Sequence, residues 1–252
     1  MINRIEVILS PLLFENRIIK NNAIVVVIDV LRATTTMCAA FDEGVSSIIA
    51  VKSVEEAREY KVKHYCIAGE RDGVKLSFAD FGNSAFDFIN ADVAGKTIVF
   101  SSTNGTNAID VAQKNNYDVA LAAFTNLNVL HQWLQKERKD VIVFCAGWKN
   151  NFSLEDTLCA GALIEKMCLL ENYENVGDSA MMALTLWQNS KHNLKECMFK
   201  TEHYKRLLKL NQDDVLDYTI SEDMSFSVPL LKINEKEIRN IYEGYERKER
   251  NI

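Results

Sequence analysis

Residues 24–28, Ile-Val-Val-Val-Ile, form an unbroken β-branched run. Such a run reads as a strand buried on both faces, the situation of a parallel sheet covered by helices. Asp29 follows at once, then Arg32, and Thr34, Thr35 and Thr36 open a helical pattern. A carboxylate and a guanidinium at the end of a buried strand are costly unless something pairs them. In open α/β folds that edge of the sheet is where ligands bind. The hydroxyls and first-turn amides of the next helix suit an anion. Asp29 therefore reads as a cation ligand, and Arg32, Thr34, Thr35 and Thr36 as a phosphate or carboxylate cradle. The plainer reading is that Asp29 and Arg32 pair with each other and the threonines cap the helix.

Strand and helix alternate from residue 24 to 170, which predicts a mostly parallel sheet with covering helices, an α/β fold. Strands are expected at 3–9, 24–29, 46–51, 64–67, 97–100, 117–122 and 140–144. Helices are expected at 33–43 (closed by Gly44), from Ser53 with Glu56 in a capping box, and at 85–90 behind an Asn83 or Ser84 cap. Further helices are expected from the 101–106 loop to Lys114, at 125–135, and from Ser153 to Leu170. Between Gly69 and Ser84 runs a polar loop too long for a simple connector. From about 175 the pattern turns helical and polar, with one extended piece at 228–233.

Four post-strand loops share one character: Asp29–Thr36, Gly69–Gly73, Ser101–Thr106 and Cys145–Asp156. In a parallel sheet they converge on one edge. They hold Asp29, Glu70, Asp72, Glu155, Asp156, Arg32, Arg71, hydroxyls and glycines. That is an inventory for Mg²⁺ and a phosphorylated anion, since Mg²⁺ takes one or two carboxylates and phosphate takes arginine forks and backbone amides.

A net charge of −6 argues against nucleic-acid binding, which needs a basic surface. No apolar run approaches the ~18 residues of a membrane helix, and the first residues lack a signal-peptide layout. The six cysteines form no CxxC pair, which points to reduced, buried thiols in a cytoplasmic protein rather than a zinc site. A P-loop is absent, Val30 and Leu31 after Asp29 break the Asp-x-Asp pattern of haloacid dehalogenase phosphatases, and no arginine follows Cys145 at cysteine-phosphatase distance. The four histidines do not cluster in sequence; His203 precedes an amphipathic segment from which it could reach a site, and its plainer reading is an exposed helix histidine.

The loops together closely resemble the 2-phosphosulfolactate phosphatase (ComB) family. The resemblance rests on Val26-Val-Ile-Asp-Val-Leu-Arg-Ala-Thr-Thr-Thr36, Gly69-Glu-Arg71, Gly82-Asn-Ser84, Ser102-Thr-Asn-Gly-Thr106, and Cys145-Ala-Gly147 with Glu155-Asp156. A weaker match runs through His203 and Asp213 to Val228-Pro229. The resemblance implies two α/β lobes with the site between them, here 1–95 and 96–252. It implies a Mg²⁺-dependent phosphatase that converts 2-phosphosulfolactate to sulfolactate and phosphate, a step of coenzyme M biosynthesis. Asp29, Glu155 and Asp156 would hold or position Mg²⁺, and Arg32 would neutralise the phosphate. Thr34, Thr35, Thr36, Asn83, Ser102, Thr103, Asn104, Gly105, Thr106 and Gly147 would complete the substrate site. Arg71 and Lys75 are the candidates for the sulfonate and carboxylate. A homodimer is the candidate assembly, with neither nucleic acid nor membrane as partner. Attack by water and attack by an enzyme carboxylate both stay open.

One departure is the stretch Leu76–Ala85, which lacks the proline and one glycine usual in that loop of the family. Two rivals follow: a phosphatase for another 2-phosphohydroxy acid, and a noncatalytic binding protein for such an acid.

Overall fold

The computed structural model describes residues 2–15, 22–169 and 172–242. Strands β1 (Asn3–Ile8) and β2 (Ala23–Ile28), with helix α1 (Pro11–Glu15) between them, start a larger sheet. After α2 (Ala33–Asp42) the chain leaves that sheet and builds a smaller one from β3 (Ser47–Ala50), β4 (Cys66–Arg71), β5 (Val74–Lys75) and β6 (Thr97–Ser101), with α3 (Val54–Val62) after β3. It returns through α4 (Gly105–Lys114) to β7 (Asp118–Ala122), α5 (Leu127–Glu137), β8 (Asp140–Cys145), α6 (Leu154–Cys168) and β9 (Tyr173–Asn175). Helices α7 (Asp178–Ser190), α8 (Leu194–Phe199), α9 (Glu202–Lys209) and α10 (Leu216–Ile220) follow, then β10 (Pro229–Leu231) and β11 (Arg239–Asn240).

The larger sheet has the order β11-β10-β7-β2-β8-β1-β9 and the smaller β3-β6-β4-β5. The pairs β1–β8, β1–β9, β2–β7, β2–β8, β3–β6 and β4–β6 are parallel; β10 against β7 and β11, and β5 against β4, are antiparallel. The fold is α/β with mostly parallel sheets flanked by helices, as the sequence pattern predicts.

Strand β2 lies in the middle of the larger sheet with all six residues buried. Ile24, Val26 and Ile28 point into a core shared with α5, α6 and α7. Val25 and Val27 point the other way, into a core that also holds Ile48, Ala68, Ile98 and Phe100 of the smaller sheet. Each such side chain contributes about 1.5–3 kcal/mol relative to exposure, which is why the run tolerates no polar position. Ile238 ties the sheets further by exchanging backbone hydrogen bonds with Ile48 at 2.9 and 2.8 Å.

The strands do not divide between the sheets at residue 95. β6 lies beyond it but belongs to the smaller sheet, whereas β1 and β2 precede it and belong to the larger. Gly69, Glu70 and Arg71 are strand rather than loop, because β4 continues into a hairpin with β5. The helix expected at 85–90 is a single 3₁₀ turn, Ala85–Asp87, with the Phe86 amide donating to Ser84 Oγ and Asn90 in the left-handed region at φ 64°. Helix α5 is preceded by a 3₁₀ turn, Phe124–Asn126. Strand β9 is new; its residues Tyr-Glu-Asn carry no apolar run by which to read it. Leu170, the expected end of α6, lies outside the described residues.

All six cysteines are free, with Cys38, Cys145 and Cys159 buried and the other three half-buried. Among the described residues no helix is long and apolar enough to cross a membrane.

Candidate active site

The end of β2 is held by a threonine clamp. The Asp29 amide donates to Thr34 Oγ1 at 3.0 Å, and that hydroxyl donates to the Asp29 carbonyl at 2.9 Å. Thr35 Oγ1 donates to the Val30 carbonyl at 2.8 Å, while Thr36 Oγ1 is buried without a partner. Short hydroxyl side chains in a first helical turn reach the backbone just before them. The hydroxyls of Thr34 and Thr35, expected in the anion cradle, are thus spent on shaping the turn, and none of the three threonines lines the cleft.

Asp156 acts from behind. Its Oδ1 accepts from the Val30 amide at 2.9 Å and its Oδ2 from the Gly147 amide at 3.1 Å, so one carboxyl joins the loops after β2 and β8. Burial pushes its pKa well above the carboxylate range, and the nearby charges of Glu155 and Asp29 add to this; the two amides work against it. Gly147 must be glycine on two counts: its φ is +65°, and a Cβ would collide with the Asn151 carbonyl oxygen.

The smaller sheet is tied in similarly. Glu70 Oε1 accepts from the Thr103 amide at 2.7 Å, and Oε2 accepts from the Gly73 amide at 2.6 Å and from Thr103 Oγ1 at 3.1 Å. Ser102 and Thr106 cap each other, each backbone amide donating to the other's hydroxyl oxygen at 3.2 Å. Asn104 Oδ1 accepts from the Lys149 amide at 2.9 Å. At Gly105 the first turn of α4 comes against Asp29: a Cβ would lie 2.7 Å from Asp29 Oδ2 and 2.6 Å from Ala33 Cβ.

These ties enclose a cleft where the strand ends of both sheets meet α9. Of the residues singled out in the sequence for the site, Asp29, Arg32, Asn83 and Asn104 line it. So do Glu70, Asp72, Trp148, His203 and Arg206, with Leu31, Leu207 and Leu210 as apolar wall. Ser102, Thr103, Gly105, Thr106, Gly147, Glu155 and Asp156 sit around the cleft without lining it.

Among the described residues Asp29 makes no ion pair with Arg32. Arg32 instead donates to Gln212 Oε1 at 2.7 Å. Burial lowers the Arg32 pKa, while Glu70, Asp87 and Asp29 work to keep it charged. Asp29 is only 5 % exposed, and burial raises its pKa from 3.8 to about 6; Glu70 and Glu155 raise it too, and His203 and the Ala33 amide oppose. Asn83 is buried and its Oδ1 has no hydrogen-bond partner. Glu155 is engaged by α9: its Oε1 lies 2.9 Å from His203 Nδ1. Among the described residues no group of three or more His, Cys, Asp or Glu side chains is placed to hold a metal ion, so Asp29, Glu155 and Asp156 are not assembled as a three-carboxylate set.

His203 is not the exposed helix histidine its sequence context suggests. Its side chain is 12 % exposed and its ring packs 5.1 Å from Trp148. The Arg206 guanidinium lies 3.9 Å over the same Trp148 ring, a cation–π contact.

A family model described as 2-phosphosulpholactate phosphatase matches residues 8–234. This chain belongs to that family. Proteins named as probable 2-phosphosulfolactate phosphatases resemble it across most of their length. One from Thermotoga maritima is 35% identical over 206 residues, 82% of this chain and 88% of the relative. One from Clostridium novyi is 32% identical over 230 residues, 90% of this chain and 96% of the relative.

In this member of the 2-phosphosulfolactate phosphatase family, Arg71 and Lys75 are turned away from the cleft. Arg71 donates to the carbonyls of Glu70 and Lys52 at 2.6 and 2.7 Å and to Ser101 Oγ at 2.8 Å. Lys75 Nζ donates to the Asp80 carbonyl at 2.6 Å. The cations that do line the cleft are Arg32 and Arg206.

Proposed function

We propose that this chain is a Mg²⁺-dependent phosphatase that hydrolyses 2-phosphosulfolactate to sulfolactate and inorganic phosphate, a cytoplasmic step of the coenzyme M type. The observation that carries the reading is the cleft's charge layout: a buried, unpaired carboxylate, Asp29, with two arginines on the same walls.

The oxygen donors fit a small hard cation. Mg²⁺ is commonly bound by one or two protein oxygens and completes its shell with water and phosphate. Asp29 offers a carboxylate and Asn83 a buried amide oxygen that lacks any other partner. These two residues would hold the ion, with Glu155 and Asp156 as supports behind them. When bound, Mg²⁺ would supply charge neutralisation at the phosphoryl oxygens and a more acidic water.

The chain's own groups do the rest. Arg32, held by Gln212, presents a guanidinium fork to the phosphate. Arg206, whose Nε is buried without a partner, takes the sulfonate or carboxylate in place of Arg71 and Lys75. Leu31, Leu207 and Leu210 shield these contacts from water and so strengthen them.

The test is phosphate release with Mg²⁺ present from 2-phosphosulfolactate, phospholactate and phosphoglycolate. Release is expected to be fastest from the sulfonated ester. Equal or faster release from the other two would retain a phosphatase and remove the sulfonate. Tight binding without release would make the chain a binding protein.

A further inference from the structure

Hydrolysis of a phosphate ester of an ordinary alcohol leaves a strongly basic alkoxide, so a proton must reach that oxygen as the bond breaks. Among the groups that line the cleft, most cannot supply one. Glu70 accepts amide hydrogens on both oxygens and is an acceptor only. Asp72 pairs with Lys149 at 2.6 Å. The arginines do not give up protons at ordinary pH, and Asp29 and Asn83 are assigned to the metal in the phosphatase reading above. His203 remains.

We propose that His203 is the general acid of the reaction, giving its Nε2 proton to the leaving oxygen, with Glu155 holding the ring for that transfer. The assignment rests on the phosphatase reading above.

The geometry supports it from three sides. Nδ1 lies 2.9 Å from Glu155 Oε1, so one ring nitrogen is fixed by a carboxylate that is itself 3 % exposed. With Nδ1 held by that carboxylate, Nε2 is the ring nitrogen left free to meet the substrate. The Trp148 ring packs against the imidazole, with centroids 5.1 Å apart and planes tilted by 60°. Nε2 has no partner among the described residues, and the residue lines the same cleft as Asp29.

The step balances. The bond between phosphorus and the alcohol oxygen breaks and its electron pair stays on that oxygen, which takes the Nε2 proton and leaves as a hydroxyl. Water's oxygen forms the new bond to phosphorus. One of its protons stays on the phosphate and the other returns to Nε2.

A tie that merely docks α9 on α6 would predict a loss independent of the leaving group. The experiment compares 2-phosphosulfolactate, which leaves as an alkoxide, with p-nitrophenyl phosphate, whose phenolate needs no proton. The chains are wild type, His203→Asn and Glu155→Gln, each in full length with Mg²⁺. His203→Asn keeps an amide donor for Glu155 and so favours retention of the fold. Its kcat should fall about 10²–10³-fold on the alkyl ester and less than about tenfold on the aryl ester. Glu155→Gln should show the same selectivity with a smaller loss. Equal losses on the two esters would overturn the assignment while leaving the phosphatase intact. A wild-type chain that releases phosphate from neither ester would instead overturn the phosphatase reading, and this assignment with it.

Discussion

Replacing Asp29 with Asn should abolish phosphate release, by at least about 10³-fold, and yet make the metal-free protein more stable. The first effect follows from the loss of a buried cleft carboxylate that makes no ion pair among the described residues, where a metal and a phosphoryl group would need it. The second follows from its pKa. Burial raises Asp29 from 3.8 to about 6, so folding favours its protonated form. For a raised acid the favourable contribution is complete below pH 3.8 and is lost as pH rises through about 6. At neutral pH the ionised group then costs about 2–3 kcal/mol, at about 1.4 kcal/mol per pKa unit. Asparagine has nearly the same shape and carries no such cost. Denaturant unfolding in EDTA should show the variant ahead of wild type at pH 7.5, with the gap closing toward pH 4. A variant that is less stable at pH 7.5, or that keeps its activity, contradicts the role given to Asp29.

Asp156→Ala should destabilise the fold by about 2–5 kcal/mol. The side chain is 2 % exposed and accepts from two backbone amides, of Val30 and Gly147. Alanine would leave both donors buried and unsatisfied, at about 1–3 kcal/mol each. Asp156→Asn keeps one acceptor oxygen and should lose about half as much. Activity should fall further than stability, because the same carboxyl sets the loop of Asp29 against the loop of Trp148. A shift in denaturant midpoint worth under about 0.5 kcal/mol would mean that other contacts hold these loops.

How much of this was legible beforehand varies by residue for physical reasons. The run 24–28 identifies β2, because only a strand buried on both faces tolerates five successive β-branched residues. Its position led to the convergence of the post-strand loops, and Asp29, Arg32, Asn83 and Asn104 do line one cleft. The turn-shaping bonds of Thr34 and Thr35 are not legible in the sequence, because a hydroxyl's partner is set by local backbone geometry that composition does not reveal. Arg71 and Glu70 are neighbours in a strand, so their side chains leave on opposite sides; Glu70 faces the cleft and Arg71 does not. His203 and Arg206 arrive from a helix some 170 residues after Asp29 in the chain, and no local pattern announces where such a helix docks. The position of α9 is what gives Glu155 a histidine partner that its sequence context does not announce.

The central claim is tested most directly by phosphate release from 2-phosphosulfolactate, followed with the purified chain across Mg²⁺ concentrations and in EDTA. The account predicts release that saturates with Mg²⁺ and stops when the ion is removed. Release undiminished in EDTA, or none at any Mg²⁺ concentration, would contradict it.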